Sequence, residues 1–398
     1  MTATETPVHP KLFQAVVLTD FGGPLFPLTE DPAAYPKALL PINNRPMLYY
    51  PLTWLAEYGV AEIFVVADPK HKKKIKNYIR VFLGQEQNLD GTYKNTEEET
   101  HPRIEVILAD ETVSTTEKIL LVAERTAGLL FVVPCDFITN LSPFSLVEKH
   151  LETSAHIVML FGVQSREMGR LLGLNDEGHV LFIENDMELE MAILKDVLSA
   201  AKTLTVYKNT DFQCISLLSR QALDYFKAHA SKEKSFLDLV SELVRARLVG
   251  RWSPEQDTGT VFETSIMTES LFNSIYSLTA GHAPENKDPA CVALLQRPGE
   301  VIQRARTIEK YLEMNFMYCR NKKESVIGEN TVIGENTRLE RSIVMDNASV
   351  GKNTRLENVI VGYRARVEDG CSLKNCEVAP GCVVPAGKKA TRECFYND

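Results

Sequence analysis

The sequence has no C-x-x-C pair; its eight Cys are scattered over the whole length. That pattern gives no zinc signature and fits thiols kept reduced, not a disulfide framework. No apolar run approaches the ~18 residues a membrane-spanning helix needs, so no membrane contact is expected. The opening residues, MTATETPVHPK, hold no apolar signal core, so the expected location is the cytosol. Positive charge is also short: 44 Lys and Arg face 53 Asp and Glu, a net charge of -9. Direct nucleic-acid binding, which relies on cations against phosphate, is therefore not expected.

What is present is a chain of 398 residues, 44% apolar, enough for a large core and for two or three domains. Its first part alternates two signals. Short apolar runs (QAVVL from Gln14, AEIFVVA from Ala61, IEVILA from Ile104, GLLFVVP from Gly128, HIVMLFG from His156) read as strands. Segments with helical spacing lie between them, at Pro46 to Tyr58, Lys70 to Leu83 and Thr115 to Ala127. Apolar strands separated by helices imply a parallel sheet covered on both faces. This α/β domain is placed at 10–280. A polar stretch, TAGHAPENKDP from Thr279, reads as a linker. CVALL reads as a strand and Glu300 to Met317 as a helix, within a linking segment at 281–323.

The last part, 324–398, repeats. Gly334 to Val344 reads GENTRLERSIV, and Gly351 to Val361 reads GKNTRLENVIV, with eight identities at an offset of 17. The apolar marks step by 6, 6 and 5 through Ile327, Ile333, Leu339, Val344, Val350, Leu356, Val361, Val367, Leu373 and Val378. Short strands with Gly or Asn turns at hexapeptide spacing mark a parallel β-helix, whose coils bury an apolar edge only by stacking. The ends of such a stack need cover, from a partner or from the segments at Glu300 to Met317 and Phe395 to Asp398. Cys371, Cys376, Cys382 and Cys394 fall inside the repeat at spacings that suit no standard zinc site, so buried apolar packing is expected of them.

A strand, a Gly-containing turn, P-L-T and then PKALLPINNRPM, with a hexapeptide solenoid behind, resembles the sugar-nucleotide pyrophosphorylases. The resemblance implies a Rossmann-like nucleotidyltransferase domain followed by a left-handed parallel β-helix. In that family a glycine-rich loop cradles a triphosphate, and an Arg offsets charge as pyrophosphate leaves. Here the loop runs Thr19-Asp20-Phe21-Gly22-Gly23-Pro24-Leu25-Phe26-Pro27-Leu28-Thr29. Thr19 and Asp20 stand where the family has glycines, and Pro24, without charge or amide proton, stands where it has Arg. Gly22, Gly23 and Lys37 are the remaining candidates for phosphate contact. Asp136 in PCDF and Asp211 are the candidates for a metal. The base-reading Gly-Thr is absent from ETVSTTEK, and the sugar motif survives only as Glu184-Asn185-Asp186. The plain reading of Lys37 is a solvated side chain, and that of Asp136 a turn former or helix cap. On the vestigial reading no catalytic residue and no cofactor are expected, and Asp136 should be replaceable by Ala without loss of assembly.

A pyrophosphorylase-like domain without its reactive groups, followed by a solenoid, resembles the gamma and epsilon subunits of eukaryotic translation initiation factor 2B. FVVPCDFITN, VLFIENDMELEMAILKDVL and NTDFQCISLLSRQALDYF favour the gamma type, whereas epsilon carries an additional C-terminal exchange domain. The resemblance implies a non-catalytic subunit that pairs with epsilon, joins a decameric complex and supports GDP/GTP exchange on initiation factor 2. The alternative is an active or regulatory sugar-phosphate nucleotidyltransferase using Lys37, Asp136 and Asp211 with magnesium. Two further features stand apart. Lys70 to Arg80 is a basic run, read as a solvated face or as a contact for an acidic partner segment, with Ile75, Ile79 and Leu83 facing the core. Trp252, in WSPEQDTGT, is read as packing or as a contact.

Overall fold

The computed structural model describes residues 13–19, 25–29, 36–84, 86–87, 93–94, 102–110, 112–162, 170–185, 197, 203–248, 289–317 and 325–396. The Thr279 linker up to residue 288, Trp252 with its loop, and Asp186 lie outside the described residues. The strands that position the site are β1 (Phe13–Leu18), β2 (Glu62–Ala67), β3 (Arg103–Leu108), β4 (Leu129–Pro134), β5 (Phe137–Thr139) and β6 (Ile157–Gly162). They continue with β7 (Arg170–Leu174), β8 (Val180–Asn185), β9 (Thr205–Leu218), β10 (Cys291–Leu295) and β11 (Ile302–Arg304). The helices are α1 (Tyr49–Ala56), α2 (Lys72–Phe82), α3 (Thr115–Ala123), α4 (Phe144–Thr153), α5 (Arg220–His229), α6 (Phe236–Leu248) and α7 (Ile308–Met317).

β4, β1, β2 and β3 are parallel neighbours; the apolar runs of β4, β1 and β2 are covered on both faces, and β3 is the half-exposed edge. Alternation decides which layer each side chain enters. Val16 and Leu18 pack with α3, α5 and α6; Ala15 and Val17 pack with α1, α2 and α4. α2 seats Ile75 and Ile79 in the second layer and leaves its lysines outside, as its spacing predicts. α3 starts at a reciprocal cap: Ser114 Oγ accepts from the Glu117 amide at 3.2 Å, and a Glu117 carboxylate oxygen accepts from the Ser114 amide at 2.9 Å.

Two expectations need correction. The sheet is not parallel throughout, because β9 runs antiparallel to β4, β6 and β7. An apolar run reports burial on both faces and says nothing of strand direction. Glu300 to Met317 is not one helix: β11 pairs antiparallel with β5 before α7 begins. A three-residue strand leaves too little periodicity to separate it from a helical turn. β10 is hydrogen-bonded in parallel to β6, so that part of the linking segment belongs to the sheet.

The repeat forms a parallel β-helix of three ladders. Ile327, Val344, Val361, Val378 and Phe395 stack in one, Ile333, Val350, Val367 and Val384 in the second, and Leu339, Leu356, Leu373 and Ala390 in the third. The corners share one backbone conformation. Asn330, Asn347, Arg364 and Gly381, then Asn336, Asn353, Gly370 and Gly387, then Arg341, Asn358, Asn375 and Arg392 all have φ between +44° and +72°. Asn and Gly enter this left-handed region most readily, which explains their spacing. Cys371, Cys376 and Cys382 are buried as expected, whereas Cys394, on the last described coil, is exposed.

The solenoid is joined sideways to the α/β unit. α7 supplies Tyr311, Leu312, Met314 and Phe316 to a cluster that also takes Leu25, Leu28, Leu40, Ile42 and Met47 from the early loops and Val326, Ile343 and Ile360 from the coils. The Asn43-Asn44 turn, with φ of 48° and 62°, sits at this joint. Its Asn43 amide donates to Asn315 Oδ1 at 2.9 Å, and Asn44 Nδ2 donates to the Ile327 carbonyl at 2.7 Å. Tyr311 Oη donates to the Pro41 carbonyl at 2.6 Å. α7 thus lies along the side of the first coils and does not cap an end of the stack, the role expected of its segment. At the tail, Phe395 packs on the solenoid core, and Tyr396 meets Phe26 edge-on at 5.5 Å between ring centres.

Candidate functional site

Asp136 and Lys37 meet at the C-terminal ends of β1 and β4, where open α/β sheets place their ligands. Thr19 closes β1, and its Oγ1 donates to the Val66 carbonyl at 3.0 Å. Cys135 follows β4; its amide donates to the Leu18 carbonyl at 3.0 Å and its thiol to the Thr19 carbonyl at 3.2 Å. Asp136 comes next and is 0% exposed. Gly22, Gly23, Asp20 and Pro24 lie outside the described residues.

Lys37 does not have the solvated side chain that its plain reading predicts. It opens a short 3-10 turn after Pro36, is buried, and places Nζ 2.7 Å from Asp136 Oδ2. Asp136 does follow a strand end, as a turn residue would, but its carboxylate works inward. Its other oxygen, Oδ1, accepts from Arg304 Nε at 2.8 Å and Nη2 at 2.7 Å. The β5–β11 ladder brings Arg304 there, since Arg304 pairs in register with Phe137 and the Ala305 amide donates to the Asp136 carbonyl at 2.9 Å. Arg304 Nη1 also donates to Cys214 Sγ at 3.0 Å. Burial alone would lower the Arg304 pKa; the Asp136 charge beside it outweighs this, and the guanidinium is held above its ordinary value. Burial pushes the Cys214 thiol up to about 11, although Arg304 and Arg306 oppose the shift, so the sulfur is neutral.

Asp211, on β9, is engaged separately. Arg306 Nη1 donates to its Oδ1 at 2.6 Å, Arg306 Nη2 donates to the Phe212 carbonyl at 2.7 Å, and Gln213 Nε2 lies 3.2 Å from Asp211 Oδ2. Glu184 forms an ion pair with Arg245 of α6. A cavity of about 670 Å³ opens beside these groups, between the start of α3 and the start of α6, with Arg170, Asp211, Cys214, Arg304 and Arg306 in its wall.

A hard divalent cation takes several oxygen ligands. Asp136 does not fit that role, because a lysine and an arginine already occupy both of its oxygens in a dry site. Among the described residues no group of three or more His, Cys, Asp or Glu is placed to hold a metal ion. The sequence signal had singled out Lys37, Asp136 and Asp211 but not Arg304, Arg306 and Cys214. The two arginines were visible as R-A-R, but a helical reading of that stretch hid their common direction toward the sheet.

Comparison with known proteins agrees in outline. Residues 20–175 match the family described as nucleotidyl transferase, and residues 318–395 match the GMPPB C-terminal domain. The chain is similar to translation initiation factor eIF2B subunit gamma of Schizosaccharomyces pombe, with 26% identity over 337 residues, 80% of this chain and 68% of the relative. A Bacillus anthracis protein assigned as a glucose-1-phosphate thymidylyltransferase is similar in structure over 78% of this chain and 98% of its own, at 14% identity and a TM-score of 0.47. The first unit is therefore a Rossmann-like nucleotidyltransferase domain, and a parallel β-helix follows it.

Proposed function

We propose that this chain is a non-catalytic subunit of a translation initiation factor complex of the eIF2B type, standing in the gamma position. It would pair with the epsilon subunit, join the decameric assembly, and support GDP/GTP exchange on initiation factor 2 in the cytosol. We further propose the division into 10–280, 281–323 and 324–398, with β10 and β11 of the middle segment completing the sheets of the first unit, and the vestigial status of Gly22, Gly23, Lys37, Asp136 and Asp211 as ligand residues. The observation that carries this reading is the Asp136 carboxylate held between Lys37 and Arg304. A guanidinium occupies the oxygen that a catalytic cation would need, and a proline replaces the loop arginine in the sequence. Similarity to the yeast gamma subunit over four-fifths of the chain supports the same assignment.

The cavity beside Asp211 favours a second reading, an active or regulatory nucleotidyltransferase. Two measurements separate them. Tagged chain isolated from its native cells should bring down the epsilon-type subunit and initiation factor 2. Purified chain with magnesium, nucleoside triphosphates and sugar phosphates should release no pyrophosphate. Magnesium-dependent release above background, lost in Asp136→Asn, would overturn the non-catalytic reading.

A further inference from the structure

The basic run on α2 has no part in the proposed function, and its charges are arranged against the helix itself. Lys72, Lys73 and Lys74 fill the first turn, which contains no acidic residue. That is the end where the helix dipole disfavours cations. Lys72 and Lys76 stand four apart, a like-charge spacing that opposes a helix. At about 100° per residue, Lys72, Lys73 and Lys76 fall within one arc of about 100°. Lys72 and Lys73 are exposed and Lys76 half-buried, with Val81 73% exposed further along the helix. An anion beside the first turn would relieve both conflicts.

The surroundings choose the kind of anion. Lys70, Lys72, Lys73, Lys74, Lys76 and Arg80 carry six positive charges, so the rest of a chain at -9 carries -15. A long polyanion such as RNA would extend past the helix onto a chain whose remaining charge is net negative. A membrane needs an apolar face to insert, and here Ile75 and Ile79 are committed to the core. A short acidic peptide needs only the one helix. We infer that the Lys72–Lys73–Lys76 face of α2 docks an acidic segment of a partner protein. This inference is independent of the proposed function.

The test measures binding of a labelled oligo-glutamate peptide to the full chain by fluorescence anisotropy, at about 50 mM and about 200 mM salt. Lys72→Glu, Lys73→Glu and Lys76→Glu together should weaken binding about tenfold or more, as expected when three exposed ion pairs are lost. The triple Gln variant should lose less. Reversing Lys352, Lys374 and Lys389 on the solenoid changes net charge equally and should leave binding nearly intact. Equal loss in both reversed variants means attraction to overall charge, and overturns the proposal, as does no binding to the wild type. A single-stranded RNA of matched charge that binds more tightly than the peptide, through the same lysines, overturns it in favour of nucleic acid. Binding that appears only after Glu97, Glu98 and Glu99 are changed to Gln overturns it too, because the chain would then be covering its own lysines.

Discussion

Arg304 holds Asp136 by two hydrogen bonds to a single oxygen, 2.8 Å from Nε and 2.7 Å from Nη2, in a site with no solvent access to the carboxylate. The arrangement turns a candidate reactive group into a structural one. It reverses the expectation that Asp136→Ala is harmless: that change removes the carboxylate facing two buried cations. Breaking such a buried cluster costs about 3–5 kcal/mol. Asp136→Ala should therefore shift the urea midpoint strongly, and Arg304→Ala similarly. An unchanged midpoint in either variant would count against the cluster as drawn.

The solenoid interior gives a second outcome. Val361 is fully buried, between Val344 and Val378 in its ladder. Val361→Asp places a charge there without a partner, at a cost of several kcal/mol, and neighbouring coils share the damage because each contacts only the next. Hydrogen exchange should accelerate in coils 326–395 while β1, β2 and β4 stay protected.

Arg392, like Arg341 at the other end of its column of corners, holds the left-handed backbone although it is neither Asn nor Gly. Asn358 and Asn375, one and two coils earlier, share its left-handed backbone, and Asn358 Nδ2 donates to Asn375 Oδ1 at 2.9 Å. For an ordinary residue this conformation costs about 1–2 kcal/mol, and less for Asn. Arg392→Asn should raise the melting temperature and extend the amide ladder by one rung; a lower melting temperature would refute that account.

His156 supplies the pH dependence. Burial first, then the nearby charges of Arg247 and His150, push its pKa down to about 4 from 6.5. The unfolded chain binds a proton between those values and the folded chain does not, so stability is full above pH 6.5 and declines as pH falls toward 4. The loss reaches about 3 kcal/mol at the low end by linkage. His156→Gln should flatten this part of the stability curve in denaturant titrations at successive pH values.

Much of this was legible in the sequence because it depends on local periodicity. The step of 6, 6 and 5 marks Leu339, Val344, Val350 and Leu356 as inward, as they are, while Ile327 on the first coil is exposed; QAVVL and GLLFVVP mark the buried strands. What stayed hidden depends on distance along the chain. Arg304 reaches Asp136 across 168 residues through a strand of three, too short to carry a period. The direction of β9 was hidden as well, because burial on both faces erases the alternation that would otherwise mark its pairing.

The joint between the units has a consequence for how the polypeptide comes off a ribosome. Leu25, Leu28, Leu40 and Ile42 are complete early in synthesis, yet their cover includes Tyr311, Ile343 and Ile360. A nascent α/β unit therefore emerges with an open apolar seat and keeps it until the third coil has begun to be translated. Such surface attracts chaperones or other nascent chains. A product ending at residue 317 should consequently precipitate, and the solenoid should restore its solubility even when supplied as a separate polypeptide made alongside it.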